Sequence, residues 1–175
     1  MPRKTIVSLL EGGDRRTIGR ADEVAVMVLQ KPKLFPQLIA GLWSDDPLVR
    51  MRAADAAEKV TRENRELLQH YKEELLGLMM ESTQPELRWH LAAMVPRLRL
   101  SAKERNLATS LLMGYLEDRS SIVRTFALQG LAELAQDDAS IRPGVIEILR
   151  EATRSGTAAM KARGRKLLLR LERCG

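Results

Sequence analysis

Two histidines, one cysteine and six aromatic rings are the chemically versatile side chains of this 175-residue chain. A zinc centre needs three or four converging ligands, and His70, His90 and Cys174 are too few and too scattered to supply them. Cys174 has no histidine close by in sequence to take its proton, so a thiolate nucleophile is not expected there. Gly12-Gly13 lacks the Lys-Ser/Thr that follows a phosphate-cradling loop, and it reads as a turn. No catalytic residue, cofactor or metal is therefore expected, and the chain is not read as an enzyme. The chemistry left is recognition. Trp89 and Phe126 are two of the few aromatic groups, and both lie among arginines, the combination favoured at the energetic centre of binding surfaces.

Charge points the same way. The chain holds 29 Lys and Arg against 23 Asp and Glu, a net of +6. Residues 150–175 carry eight basic and two acidic side chains, whereas the rest is balanced at 21 of each. A neutral body with a basic end fits contact with an acidic protein or with nucleic acid, although a solvated helix face has the same composition. With 45% hydrophobic residues the chain can bury a core, yet no apolar run approaches the roughly 18 residues of a membrane span. Residues 6–10 resemble the apolar part of a secretory signal, but Glu11-Gly12-Gly13 interrupts it. One cysteine excludes an internal disulfide and fits a reducing compartment, so a soluble, cytoplasmic protein is expected.

The elements that position these residues are legible as an internal repeat. Four segments align, anchored on Arg50, Arg88, Arg124 and Lys161 at spacings of 38, 36 and 37 residues. In register, Val49, Leu87, Val123 and Met160 form one apolar column, followed by Ala53, Leu91, Ala127 and Gly164. Steps of about four and three residues put such columns on one helical stripe. A further column, Leu38, Leu76, Leu112 and Leu149, lies twelve residues before each anchor and marks a first helix in each repeat. Pro47 and Pro85 suit the first turn of the second helix, where a missing N–H costs nothing. Ser101 with Glu104 reads as a capping box, and Pro96 should loosen the last turns of its helix. The reading is all-α, one domain over residues 1–175 and one continuous stack of about five helical hairpins, with no strand. The units are an atypical N-terminal hairpin in 1–30, with helices at 5–11 and 15–29, and repeats at about 33–61, 62–99, 101–136 and 138–173.

Asp46-Pro47-Leu48-Val49-Arg50 followed by Ala53, Ala56 and Ala57, and Ile122-Val123-Arg124 with Ala127, resemble the HEAT-repeat family over residues 33–172. The resemblance implies an armadillo-like α-solenoid, a superhelix whose second helices line a concave face and which serves as a protein-binding scaffold. The family's carboxylate before the inter-helix turn matches Asp118, and Asp45 or Asp46, but is missing at Ser82 and Ser155. Arg50, Arg88, Asp118 and Arg124 are accordingly expected to be structural, the guanidinium groups meeting turn carboxylates or carbonyls. Metal-dependent hydroxylases of similar fold are marked by His-Glu pairs, whereas here Tyr71 follows His70 and Leu91 follows His90. Some alkylpurine DNA glycosylases also resemble this fold, and Trp89 with Asp55 imitates their aromatic and carboxylate.

At about 100° per residue, positions next to the anchors point away from the apolar stripe. The outward columns read Met51, Trp89, Thr125, Ala162 and Asp55, Ala93, Gln129, Lys166, flanked by Arg52, His90, Phe126, Arg163. On the last helix, Arg163, Lys166, Arg170 and Arg173 share one face. The expected partner-binding set is therefore Met51, Arg52, Asp55, Trp89, His90, Phe126, Gln129, Arg163, Lys166, Arg170 and Arg173. A bland alternative packs Trp89 and Phe126 against the neighbouring repeat. The leading function is a non-enzymatic scaffold or adaptor that binds a protein, acidic in character, on the face of the second helices. The alternative is a HEAT-like nucleic-acid binder, with a glycosylase-like enzyme as its less favoured form.

Overall fold

A computed structural model of the chain describes residues 5–174. Every regular element among these residues is helical: nine α-helices and five short 3-10 helices, with no strand. The chain divides into two compact units, one ending at Tyr71 and the other starting at Lys72. That division falls inside the expected repeat 62–99, where Arg65–Tyr71 winds as a 3-10 helix instead of an α-helix.

In the first unit, α1 (Ala21–Gln30) and α2 (Phe35–Ala40) both pack on α3 (Pro47–Glu63). Helix α3 begins as its sequence requires, with Pro47 at its first position and the Asp46 carboxylate accepting from Leu48 N at 2.8 Å. Its alanines at 53, 54, 56 and 57 are fully buried, so neighbours approach its backbone closely on more than one side. The expected N-terminal helical hairpin is not formed. Only Val7–Leu9 turns, as a 3-10 helix, and helix resumes at Ala21. The cause is local: Gly12, Gly13 and Gly19 have φ of 73°, 84° and 54°, which no right-handed helix tolerates. Ile18, within the second helix expected of that hairpin, is exposed.

What holds that irregular segment is Arg52, only 2% exposed. Its guanidinium donates to the carbonyls of Leu10 at 2.8 Å, Asp14 at 3.0 Å and Thr17 at 3.4 Å, and also to that of Gly12. A loop without ladder partners leaves carbonyls that must be satisfied when buried, and one planar five-donor group satisfies four of them.

In the second unit, α4 (Lys72–Glu81) precedes α5 (Pro85–Met94), α6 (Ala102–Tyr115) precedes α7 (Ser121–Asp137), and α8 (Arg142–Ser155) precedes α9 (Ala158–Glu172). Each pair packs together, α5 lies against α7, and α7 lies against α9, so the second helices form a row. The capping box at Ser101 and Glu104 is formed on both sides, at 3.2 and 2.6 Å. Pro96 acts as expected, and α5 gives way to a 3-10 turn at Val95–Arg97. Leu38, Leu76, Leu112 and Leu149 are all buried, as are Val49, Leu87, Val123 and Met160. Gly130 permits the close contact of α5 with α7, since a Cβ there would lie 2.8 Å from Ala92 O.

Two of the expected structural arginines hold the turn behind their own helix. Arg50 donates to Ser44 O at 2.7 Å and Asp45 O at 3.2 Å. Arg88 donates to Ser82 O at 2.7 Å and to Asp118 Oδ2 at 2.6 Å. Burial opposes ionisation of Asp118, but the Ser120 N–H, the Arg88 guanidinium and the field of Arg124 together hold its carboxyl below the ordinary 3.8. Burial acts on Tyr115 as well, pushing its phenol up to about 12, and its hydroxyl donates to Met79 O at 2.8 Å. Arg124 departs from the expectation: its Nε is buried with no hydrogen-bond partner among the described residues.

Three outcomes follow from these contacts. Asp118→Asn should lower stability by about 2 kcal/mol at neutral pH, because it weakens a charged pair whose carboxylate side is only 7% exposed. A depressed folded pKa gives stability that is complete above 3.8 and is lost as pH falls below it, so wild type should weaken there more steeply than the variant in urea titrations. Arg52→Ala should cost about 2–4 kcal/mol by orphaning four carbonyls, and limited proteolysis should then cut within 11–20. Gly19→Ala should resemble it, since a Cβ would meet Arg52 Cζ at 2.7 Å on a backbone at φ 54°.

Candidate interaction site

The row of α5, α7 and α9 carries the groups expected to face a partner. Trp89 on α5 and Phe126 on α7 meet with ring centroids 4.9 Å apart and planes tilted by 35°. Arg163 on α9 places its guanidinium carbon 5.5 Å from the Phe126 centroid and donates to Gln129 Oε1 on α7. Gln129 in turn donates to Glu133 Oε1 at 2.6 Å. Trp89, Phe126, Gln129 and Arg163 are all half-buried, so they form a continuous strip that is packed laterally and open outward. Packed aromatic rings capped by a guanidinium are pre-organised, because rotamer freedom is already restricted before any partner arrives.

Lys166 and Arg170 extend the strip as exposed charges along α9, with Arg173 exposed just past its end. Neither these three nor Lys161 and Arg165 form an ion pair with another described residue. Two arginines of α8 do: Arg150 pairs with Glu147 at 2.6 Å and Glu172 at 3.3 Å, and Arg154 with Glu151 at 2.6 Å. The uncompensated charge of the basic end thus sits on α9 and on Arg173 just past it.

Other expected site residues are placed elsewhere. His90 is 2% exposed, with Trp89 stacked on it at 3.4 Å and its Nδ1 2.5 Å from Glu86 O, so it supports the tryptophan from beneath and does not face a partner. Arg52 is the buried loop clamp and is likewise withdrawn from the binding set. Thr125 and Ala93, expected on outward columns, are buried, Thr125 Oγ1 donating to Ser121 O at 2.7 Å. Met51 and Asp55 lie half-buried on α3 in the first unit. Asp55 Oδ2 accepts from Lys59 Nζ at 2.6 Å, so its carboxylate is engaged in an ion pair that also takes in Asp22. No group of three or more His, Cys, Asp or Glu placed to hold a metal ion occurs among the described residues. Among the same residues no helix is long and apolar enough to cross a membrane.

The two indoles differ enough to be read separately. Trp43 is 45% exposed at the end of the 3-10 turn Gly41–Trp43, whereas Trp89 is flanked by two rings. Trp43→Phe should therefore leave an emission shifted to shorter wavelength and less quenched by acrylamide, and Trp89→Phe should leave the opposite.

No family model matches the chain, and no curated protein does. Among solved structures, the crystal structure of an engineered protein from the Northeast Structural Genomics Consortium aligns with a TM-score of 0.66 at 18% identity, covering 97% of this chain and 79% of that one. At that identity the likeness concerns the fold.

Proposed function

We propose that this chain is a HEAT-like, armadillo-type α-solenoid of about five helical units acting in the cytoplasm as a non-enzymatic scaffold, and that it binds an acidic protein on the α5–α7–α9 face. The observation that carries this reading is the Trp89–Phe126–Arg163 strip continuing into the unpaired cations of α9. Aromatic and arginine groups supply the centre of such a surface, and exposed like charges around it speed the approach of an oppositely charged partner. The repeat period, the Arg50 and Arg88 turn contacts and the row of second helices support the solenoid. Nucleic acid is the second reading, favoured by the same α9 cations. The glycosylase-like form loses ground, because the Asp55 carboxylate is already engaged by Lys59.

The test pairs capture with variants. Purified chain used as bait in lysate of the native host should retain a partner that is lost with Phe126→Ala and with the triple change Arg163→Glu, Arg170→Glu, Arg173→Glu. Trp43→Phe, a change in the first unit, should retain it. The triple variant should fold as wild type does by circular dichroism, since Arg170 and Arg173 are exposed and Arg163 is only half-buried. Retention of every partner by the variant would remove the surface from consideration. A mobility shift of duplex DNA that persists at moderate salt and disappears in the variant would establish the nucleic-acid reading instead.

A further inference from the structure

A cavity of about 420 Å³ lies in the second unit where α7 passes the turn between α8 and α9. Arg124 lines it together with Ser155, Thr157 and a wall that includes Leu128, Ile148 and Met160. It is separate from the aromatic strip: Arg124 and Phe126 are two residues apart on α7, about 200° around the helix. The position of Arg124 in its repeat is that of Arg88 in the one before. Arg88 is fully engaged, by a turn carbonyl behind it and by Asp118 from the following repeat. In register, the residue that would answer Arg124 as Asp118 answers Arg88 is Ser155, which has no charge. The Ser155 hydroxyl is turned to its own helix, donating to Glu151 Oε1 at 2.6 Å. Arg124 thus makes no charge-assisted hydrogen bond, although its field reaches Asp118; it lines open space, with its Nε buried and without a hydrogen-bond partner among the described residues.

We infer that this cavity binds a carboxylate carried on a short branched aliphatic body, the carboxylate replacing the missing rung at Arg124. A planar guanidinium matches a carboxylate in shape, and one cation suits a monoanion. A dianionic phosphate fits poorly, because Glu117 and Glu151 line the same cavity. Glu151 is already answered by Arg154 at 2.6 Å, so its repulsion of a single negative charge is muted. The wall of Leu128, Ile148 and Met160 gives the aliphatic part its contact. Such a carboxylate is either the C-terminal group of a peptide ending in leucine or a similar residue, or a free branched acid.

The experiment follows the Arg124 Nε–Hε resonance of the full chain by ¹⁵N NMR, assigned by its loss in Arg124→Lys. N-acetyl-leucine should shift that resonance saturably, and N-acetyl-leucinamide should bind at least about tenfold more weakly, since it lacks the charge-assisted bond. 4-Methylpentanoate separates the sources: weaker binding than N-acetyl-leucine points to a peptide terminus, and equal or tighter binding to a free acid. Ser155→Asp supplies the carboxylate from within the chain. It should shift the same resonance without any added ligand, raise the melting temperature, and weaken N-acetyl-leucine at least about tenfold. Because this variant adds a contact, it keeps the test decisive if Arg124→Lys folds poorly. No saturable shift with either acid, equal binding of the amide, or undiminished binding by Ser155→Asp would overturn the inference.

Discussion

Guanidinium-to-carbonyl hydrogen bonding at chain reversals is the interaction on which both units depend. A fold of short helices has many ends, and each end leaves up to four carbonyls without an intrahelical partner. Here arginine answers them repeatedly: Arg50 at the turn before α3, Arg88 at the turn before α5, and Arg142 at the reversal between α7 and α8. Arg142 reaches three carbonyls, those of Ala135, Gln136 and Cys174, each at 3.0 Å, and so also holds the end of α9. Arg52 does the same for a loop that has no helix of its own. The planar fork makes this economical, because several acceptors are met by one side chain whose stem is packed.

This arrangement explains why the sequence carries so much arginine without a comparable electrostatic surface. A large share of the positive charge is spent on turns or paired with neighbours, as in Lys72 with Glu104 and Arg105 with Asp138. Counting charges along the chain therefore overstates what a partner would meet. On α9, Lys161, Arg165, Lys166 and Arg170 remain without an ion pair among the described residues.

The apolar columns were legible because burial on a helix is periodic and local: Leu38, Leu76, Leu112 and Leu149 follow from spacing alone. The cap at Ser101 was legible for the same reason, being a contact within three residues. Arg52 was not. Its partners are backbone carbonyls 35 to 42 residues earlier, which have no side-chain signature, and its column neighbour Phe126 stays half-buried. The only signal was indirect: Gly12, Gly13 and Gly19 deny helix to a segment that still has carbonyls to satisfy. His90 was misplaced because a 3.6-residue period fixes direction but not what covers a flank, and here a tryptophan one residue earlier folds over it.

The strip and the charges of α9 differ in physics although they adjoin. Trp89 and Phe126 gain by losing water, a short-range effect that salt scarcely weakens. Lys166, Arg170 and Arg173 are exposed and act over about 8–10 Å before screening removes them. Arg163 belongs to both, its guanidinium lying over Phe126 while it bonds Gln129. A partner held mainly by the rings would keep its dissociation rate as salt rises and lose only speed of arrival. One held by the helix charges alone would lose affinity altogether, as phosphate backbones do when counterion release is suppressed. The salt dependence of the two rates thus reports which half of the surface carries the binding, independently of who the partner is.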